Sequence, residues 1–249
     1  MVIKIFVATA TAIIINIYYT FRIIKHIIHE KCMKAEVLGI SGSPIKNSNT
    51  DRLIQAVLSR TGLVTEFVKL SKKNIKPCIA CLGCTGDNIC KVKDDFGELA
   101  EKVKHAGAIV VGGYPPYGTI DGFTKAFLER LFSLRHNNGF NRGKLAVTVI
   151  TAIGRGAPGL DEASNQISQA LTMEGMEVLG QLKAIGNPEC MVCGYGQSCP
   201  MSALPWIFGD DTTVTPEKFC KVEDQKETWQ QAEKLGKEIA ERLKKVQMM

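Results

Sequence analysis

The sequence predicts an α/β protein built on a doubly wound sheet of five parallel strands, and three observations support this fold class. From residue 33 onward, short continuous apolar runs alternate with helical stretches, as expected for strands covered on both faces. Five such runs fall within about 150 residues, which favours the strand order 2-1-3-4-5. Hydrophobic residues make up 45% of the 249 residues, so the chain can bury a large core.

The predicted elements follow one another as strand, helix, strand along most of the chain. The third strand contains the fully apolar run Ile109-Val110-Val111, which is typical of a buried parallel strand. The strands are predicted at Ala35–Ile40, Val64–Leu70, Ala108–Gly112, Lys144–Thr151 and Glu177–Ala184. The helices are predicted at about Thr50–Arg60, Phe96–His105, Ile120–Leu134, Leu160–Glu174 and Glu223–Val246.

This pattern divides the chain into four parts. Residues 33–185 form the predicted nucleotide-binding domain, which includes a cysteine-rich loop at residues 78–90. Residues 186–221 are rich in Gly, Pro and Cys and are interpreted as a loop excursion or lid. Residues 222–249 form the C-terminal helix, and residues 1–32 precede the domain.

Two interpretations of residues 1–32 stay open. The segment Ile5–Phe21 is uncharged and mostly apolar, and its length is at the lower limit for a helix that crosses roughly 30 Å of hydrocarbon. Positive charges follow it, so an anchor would tether the domain to the inner, cytoplasmic face of a membrane. Alternatively, Met33 is the natural start of the protein and the upstream segment is an extension.

Charge and cysteine content narrow the function. The net charge is +6, about half of it comes from the first 32 residues, and no Lys/Arg run exists, which argues against a nucleic-acid partner. The nine cysteines are clustered in a chain too large to need disulfide staples. Clustered cysteines predict metal or redox chemistry in the reducing cytoplasm.

A phosphate site is predicted where the first strand turns into the first helix. Gly42 lets the backbone approach an anion, and the helix N-terminus offers unpaired N–H groups. The alternative is a helix that is merely capped by Ser48 or Asn49. The dinucleotide pattern G-x-G-x-x-G is absent here, which disfavours a Rossmann NAD site. The candidate phosphate-binding residues are Ser41, Ser43, Pro44, Lys46, Ser48, Asn49 and Thr50.

The spacing Cys78-x2-Cys81-x2-Cys84-x5-Cys90 predicts a 4Fe–4S cluster, because four thiolates on one short loop can each reach a separate iron. Zinc also accepts four thiolates, although its ligands usually come as two separated pairs. Free thiols are the third interpretation.

A second group, Cys190-x2-Cys193-x5-Cys199, lies in the predicted lid, and Cys220 follows it. These four cysteines predict either a second metal site or loop thiols that only pack. Both interpretations stay open.

Two stretches resemble the NADPH-dependent FMN reductase family, whose fold is flavodoxin-like. The stretch Gly42-Ser43-Pro44-x-Lys46-x-Ser48-Asn49-Thr50 resembles its phosphate loop, with Lys46 where Arg is expected more often. The stretch Gly113–Ile120, followed by Lys125-x-Phe127-Leu128-Glu129-Arg130, resembles the loop that lies along the flavin ring. The resemblance implies FMN as cofactor. It implies ring contacts at Pro115, Pro116, Tyr117, Gly118 and Thr119, and a closing loop with Thr151 and Gly154.

The cysteine loop is similar to that of the archaeal-type iron–sulfur flavoproteins. This resemblance implies FMN with a 4Fe–4S cluster, a homo-oligomer, and electron exchange with a ferredoxin-like partner. The predicted function is therefore an FMN-dependent oxidoreductase that takes electrons from ferredoxin or NAD(P)H. The alternatives are a cluster-free NAD(P)H-dependent FMN or quinone reductase, and a zinc-stabilised binding module. No catalytic side chain is predicted.

Overall fold

The computed structural model of the protein describes residues 36–154 and 159–247. The five predicted strands form one sheet in the order β2-β1-β3-β4-β5. Each neighbouring pair is parallel, so the predicted doubly wound, flavodoxin-like topology is confirmed. The strands are β1 (Val37–Ser41), β2 (Thr65–Lys69), β3 (Ala108–Gly113), β4 (Leu145–Ile153) and β5 (Glu177–Gly186).

Helices cover both faces of the sheet. The first and last described helices, α1 and α6, pack on one face, while α2, α3 and α4 pack on the other. The short helix α5 belongs to the cysteine-rich excursion after β5. The helices are α1 (Asn49–Thr61), α2 (Phe96–His105), α3 (Gly122–Arg135), α4 (Leu160–Met173), α5 (Leu204–Phe208) and α6 (Lys226–Gln247).

Each face of the sheet has its own apolar core, because successive side chains of a strand point to opposite faces. In β3, Ile109 packs with Phe127 and Leu131 on one face, and Val110 packs with Ile54 on the other. Full burial of each such side chain contributes about 1.5–3 kcal/mol. These two cores fix the strand register and thereby align the carboxyl ends of β1, β3 and β4.

Three predicted boundaries need correction. β4 extends to Ile153, so Thr151 lies inside the strand and not in the loop after it. The third helix begins at Gly122, since Asp121 caps it by accepting the N–H of Thr124. The last helix begins at Lys226 and is preceded by a 3-10 turn at residues 222–224.

The predicted lid contains little regular structure. Between β5 and α6 the chain forms 3-10 turns at 189–191, 216–218 and 222–224 around α5. The predicted anchor or extension at residues 1–32 lies outside the described residues. Within residues 36–154 and 159–247, no helix combines the length and apolarity needed to cross a membrane.

Candidate flavin and cysteine sites

The phosphate loop is organised by a carboxylate that the sequence motif does not highlight. Asp51, in the first turn of α1, accepts hydrogen bonds from the Ser41 hydroxyl at 2.6 Å and the Ser48 N–H at 3.2 Å. Ser48 reciprocates by capping the Asp51 N–H, which completes a capping box. Lys69 of β2 pairs with Asp51 at 2.5 Å, with both side chains nearly buried. Asp51 thus joins the phosphate loop to β1 and β2.

The upper side of this loop offers hydrogen-bond donors. The N–H groups of Asn49 and Thr50 have no acceptor among the described residues, as is usual in the first turn of a helix. The Ser43 hydroxyl also bonds no described residue. Pro44 and Lys46 are exposed, and Lys46 forms no ion pair within the described part of the chain. These groups fit a phosphate.

The first and second predicted flavin loops lie directly against each other. A Cβ atom on Gly42 would come within 1.9 Å of the Thr124 hydroxyl and 2.6 Å of the Asp121 carboxylate. Asp121 is fully buried and accepts hydrogen bonds from Thr124 and the Tyr114 N–H. Burial raises the pKa of Asp121, and these N–H and O–H donors partly offset the effect. Glycine at position 42 is therefore required for the two loops to meet.

The third loop meets the second at an equally close contact. Gly159 has φ +87°, and a Cβ atom there would lie 2.2 Å from the Gly118 Cα. Next to it, Tyr117 has φ +53° and a fully exposed side chain. Gly154 lies beneath the Trp206 ring of α5, whose carbons would be 3.5 Å from an added Cβ. The predicted ring contacts, the loop after β4 and the lid therefore gather at one edge of the sheet.

The side chains of Asn49 and Thr50, like those of Ser41 and Ser48, bond other parts of the protein. The hydroxyls of Thr50 and Thr151 lie 2.7 Å apart and are buried, so they join α1 to β4. The Asn49 side chain donates to the Cys220 carbonyl at 3.0 Å and accepts the Val222 N–H at 3.3 Å. Asn49 and Thr50 can therefore offer a phosphate only their backbone N–H groups.

Four cysteines line one pocket, and all four lie on the loop between the 3-10 turn at residues 70–72 and α2. Cys84 is buried and Cys90 half-buried, whereas Cys78 and Cys81 are exposed. Burial raises the pKa of the Cys84 thiol, and the charges of Cys90, Cys78 and Cys81 raise it further. Within the described residues, no three Cys, His, Asp or Glu side chains lie close enough to hold a single metal ion.

A buried ion pair closes this loop, here called the cysteine loop (residues 76–94). Arg130 of α3 donates to both carboxylate oxygens of Asp94, at 2.6 and 3.0 Å, and to the Lys76 carbonyl at 2.8 Å. Asp94 in turn accepts the Lys76 N–H at 2.9 Å. The side chains of Arg130 and Asp94 are 1% and 0% exposed. One arginine therefore joins the two ends of the loop that carries the cysteines.

The far side of the cysteine loop is fixed to the end of α3. Asn88 is buried and donates to the carbonyls of Ser133, at 3.0 Å, and His136. The Asn137 side chain donates to the Gly86 carbonyl at 2.7 Å. Carbonyls that the helix end leaves unpaired are thus satisfied by the loop.

Three residues of the cysteine loop have a left-handed backbone. Ala80 (φ +52°), Leu82 (φ +56°) and Asn88 (φ +56°) all carry side chains that disfavour this conformation, Asn least. Such strain costs about 1–3 kcal/mol per residue and persists only where the surroundings enforce it.

The second cysteine group, in the lid, is held by turns. The Cys193 sulfur accepts the Tyr195 N–H at 3.4 Å, and the Cys190 sulfur accepts the Ala203 N–H at 3.3 Å. Burial raises the pKa of the Cys220 thiol. The prediction of a second metal site stays untested.

Sequence reasoning gave no role to the buried or nearly buried charged residues of both sites, although Arg130 ends the second stretch that resembles the family: Asp51, Lys69, Asp94, Asp121 and Arg130. A signal existed for Asp51, since Ser48-x-x-Asp51 has capping-box spacing. The partners Asp94 and Arg130 are separated by 36 residues and gave no local signal.

The fold and the loops at the carboxyl ends of its strands define a ligand-binding protein of the doubly wound α/β class. Residues 35–188 match the model of the NADPH-dependent FMN reductase family, and the chain belongs to that family. The protein is accordingly an FMN-dependent oxidoreductase.

Two similar proteins are named iron–sulfur flavoproteins. One, from Methanocaldococcus jannaschii, is 32% identical over 149 residues, covering 58% of this chain and 76% of that protein. The other, from Methanosarcina thermophila, is 29% identical over 155 residues, covering 61% and 81% of the respective chains. Among solved structures, a flavone reductase superposes with a TM-score of 0.52 at 15% identity, over 85% of this chain and 64% of the other. This last likeness concerns the fold alone.

Proposed function

We propose that the protein is an electron-transfer flavoenzyme with FMN at the carboxyl ends of β1, β3 and β4 and a 4Fe–4S cluster on the cysteine loop. The observation that carries the proposal is one pocket lined by all four thiols of a loop whose ends are joined by a buried ion pair. The similar proteins named iron–sulfur flavoproteins support it. FMN supplies two-electron chemistry and the cluster one-electron chemistry, while the protein supplies position and electrostatics.

For FMN, the chain offers a phosphate cradle and a ring platform. The free N–H groups of Asn49 and Thr50, the Ser43 hydroxyl and the Lys46 charge would hold the phosphate. Pro115, Pro116, Tyr117, Gly118 and Thr119 would line the ring, with Gly154 closing the site.

For the cluster, Cys78, Cys81, Cys84 and Cys90 supply the thiolate set that 4Fe–4S clusters require. The left-handed Ala80 and Leu82 support a loop shaped for ligation, because strain of this kind concentrates at functional sites. The lid group Cys190, Cys193, Cys199 and Cys220 is a second, weaker candidate for metal binding.

The outer side of the cysteine loop suits a protein electron donor. Cys78 and Cys81 are exposed, and the neighbouring apolar side chains Ile79, Leu82 and Ile89 are 55–66% exposed. A ferredoxin-like donor would approach the cluster here without a channel. A nicotinamide donor that reduces FMN directly is the alternative, and a homo-oligomer is a further proposal.

The test uses full-length protein purified without oxygen, with FMN, iron and zinc counted and electron paramagnetic resonance (EPR) recorded after dithionite reduction. The wild type should contain FMN and about four irons per chain. Cys84→Ser should lose the cluster signal but keep FMN. Ser43→Asp, which places a charge in the phosphate cradle, should lose FMN but keep iron. Cys193→Ser, with the same substitution in the lid group, is the matched control and should keep both.

Each alternative has its own signature in this experiment. Zinc without iron would indicate that the cysteines bind a structural zinc ion and not a cluster. FMN without either metal would indicate a cluster-free reductase. Iron loss in Cys193→Ser would show that the lid group takes part in ligation.

A further inference from the structure

Arg130 is the largest fully buried side chain among the described residues. Arginine is almost never fully buried unless it is paired, and here Asp94 balances its charge. The Phe96 ring lies 4.6 Å from the guanidinium carbon and shields it further from water. The pair therefore sits in a low-dielectric setting, where charges act strongly on their neighbours.

The pair with Asp94 does not use the whole guanidinium. Its Nε–H is buried and has no hydrogen-bond partner among the described residues. An unmade hydrogen bond at a buried polar group costs about 1–3 kcal/mol. Arg130 lines the same pocket as Cys90 and the other three cysteines of the loop. The buried arginine and the Cys90 side chain thus border one pocket.

We propose that Arg130 is a positioning residue that raises the reduction potential of the cluster by placing its charge beside the Cys90 ligand. This inference rests on the proposed cluster. Reduction adds one negative charge to the cluster, and a nearby buried cation stabilises the reduced state more than the oxidised one. Hydrogen bonds to ligand sulfur act in the same direction.

Asp94 opposes Arg130 in this arrangement. Its carboxylate neutralises much of the guanidinium charge, so the potential depends on the balance of the pair and not on Arg130 alone. Removing the charge of Arg130 and removing the charge of Asp94 should therefore shift the reduction potential of the cluster in opposite directions. A purely structural clamp has no such property, because loosening either half would disturb the loop in the same way.

The experiment is an EPR-monitored redox titration of the full-length, anaerobically prepared protein and three variants. Arg130→Gln should lower the cluster potential relative to the wild type. Asp94→Asn, whose amide oxygen can still accept from Arg130, should raise it. Arg135→Gln removes one positive charge from the exposed side of the same helix and should leave it unchanged.

Equal potentials in the wild type and Arg130→Gln, or shifts of the same sign in Arg130→Gln and Asp94→Asn, would overturn the inference while leaving the cluster in place. If Arg130→Gln does not retain a cluster, Arg130→Lys and Asp94→Asn decide the question: the lysine variant should keep a potential near that of the wild type, and Asp94→Asn should still raise it. A wild type without iron would overturn the proposed function and this inference together.

Discussion

The two cysteine groups share the spacing C-x2-C-x5-C but differ in what supports them. Cys81, Cys84 and Cys90 lie on a loop fixed at its base by a fully buried ion pair and at its tip by Asn88. Cys190, Cys193 and Cys199 lie in a lid held by backbone turns and N–H···S contacts. The comparison teaches that equal cysteine spacing does not imply equal support from the surrounding fold.

The difference extends to the ion pairs of the two regions. Arg130–Asp94 is shielded from water, and its two side chains take part in five hydrogen bonds, so removal of one partner leaves an uncompensated buried charge. In the lid, Lys218 pairs with Asp211, whose side chain is 69% exposed. Surface pairs of this kind contribute little because water screens them.

The largest expected effect is on stability. Asp94→Ala should lower the free energy of unfolding by about 3–5 kcal/mol, because it leaves Arg130 buried and unpaired. Asp211→Asn in the lid should leave the urea midpoint unchanged. Both are measured by urea unfolding of metal-free protein. A small effect of Asp94→Ala would show that the cysteine loop is no better anchored than the lid.

A smaller effect on the free energy of unfolding is expected when the pH is lowered. Burial raises the pKa of Asp94, but hydrogen bonds from Arg130 and from the N–H groups of Lys76 and Phe96 outweigh it and hold the pKa below its ordinary value. The folded state therefore keeps the carboxylate charged to lower pH than the unfolded state does. The resulting stabilisation of the folded state is fully present above the pKa of Asp94 in the unfolded state. It is lost as the pH falls through the folded pKa.

The stability gap between the wild type and Asp94→Asn should accordingly narrow as the pH is lowered from about 5 to about 2. Urea unfolding of both metal-free proteins across this range gives the measurement. A gap that stays constant would mean that the carboxylate has the same pKa in both states.

The smallest expected effect is a difference in fluorescence quenching by FMN between the two tryptophans of the chain, Trp206 in the lid and Trp229. Trp206 is 57% exposed and lies against Gly154, whereas Trp229, a residue of α6, is partly buried against the core. In Trp229→Phe, added FMN should quench most of the remaining emission. In Trp206→Phe, FMN should quench a smaller fraction. Equal quenching in the two proteins would place the lid away from the flavin.

The sheet was predictable because its strands are continuous apolar runs, and β3 with Ile109, Val110 and Val111 is the clearest case. The start of α1 was predictable because Ser48 precedes Asn49 and Thr50 at a strand-to-helix turn, and Ser is a preferred N-cap residue. The buried charges were not predictable. Asp94 and Arg130 resemble solvated residues in sequence, and only the packing of α3 against the cysteine loop buries them together. Thr151 was misplaced because an apolar run does not indicate where its last strand residue lies.

Asn49 links the first turn of α1 to the chain segment that follows the lid. Its N–H is an unpaired donor in the first turn of α1, while its side chain bonds the carbonyl of Cys220 and the N–H of Val222 at the start of the segment that leads into α6. In the proposed site one residue would take part in both events, and any coupling between phosphate binding and order in the lid would then be reciprocal. Cutting the lid would then weaken FMN binding, and bound FMN would protect the lid from a protease.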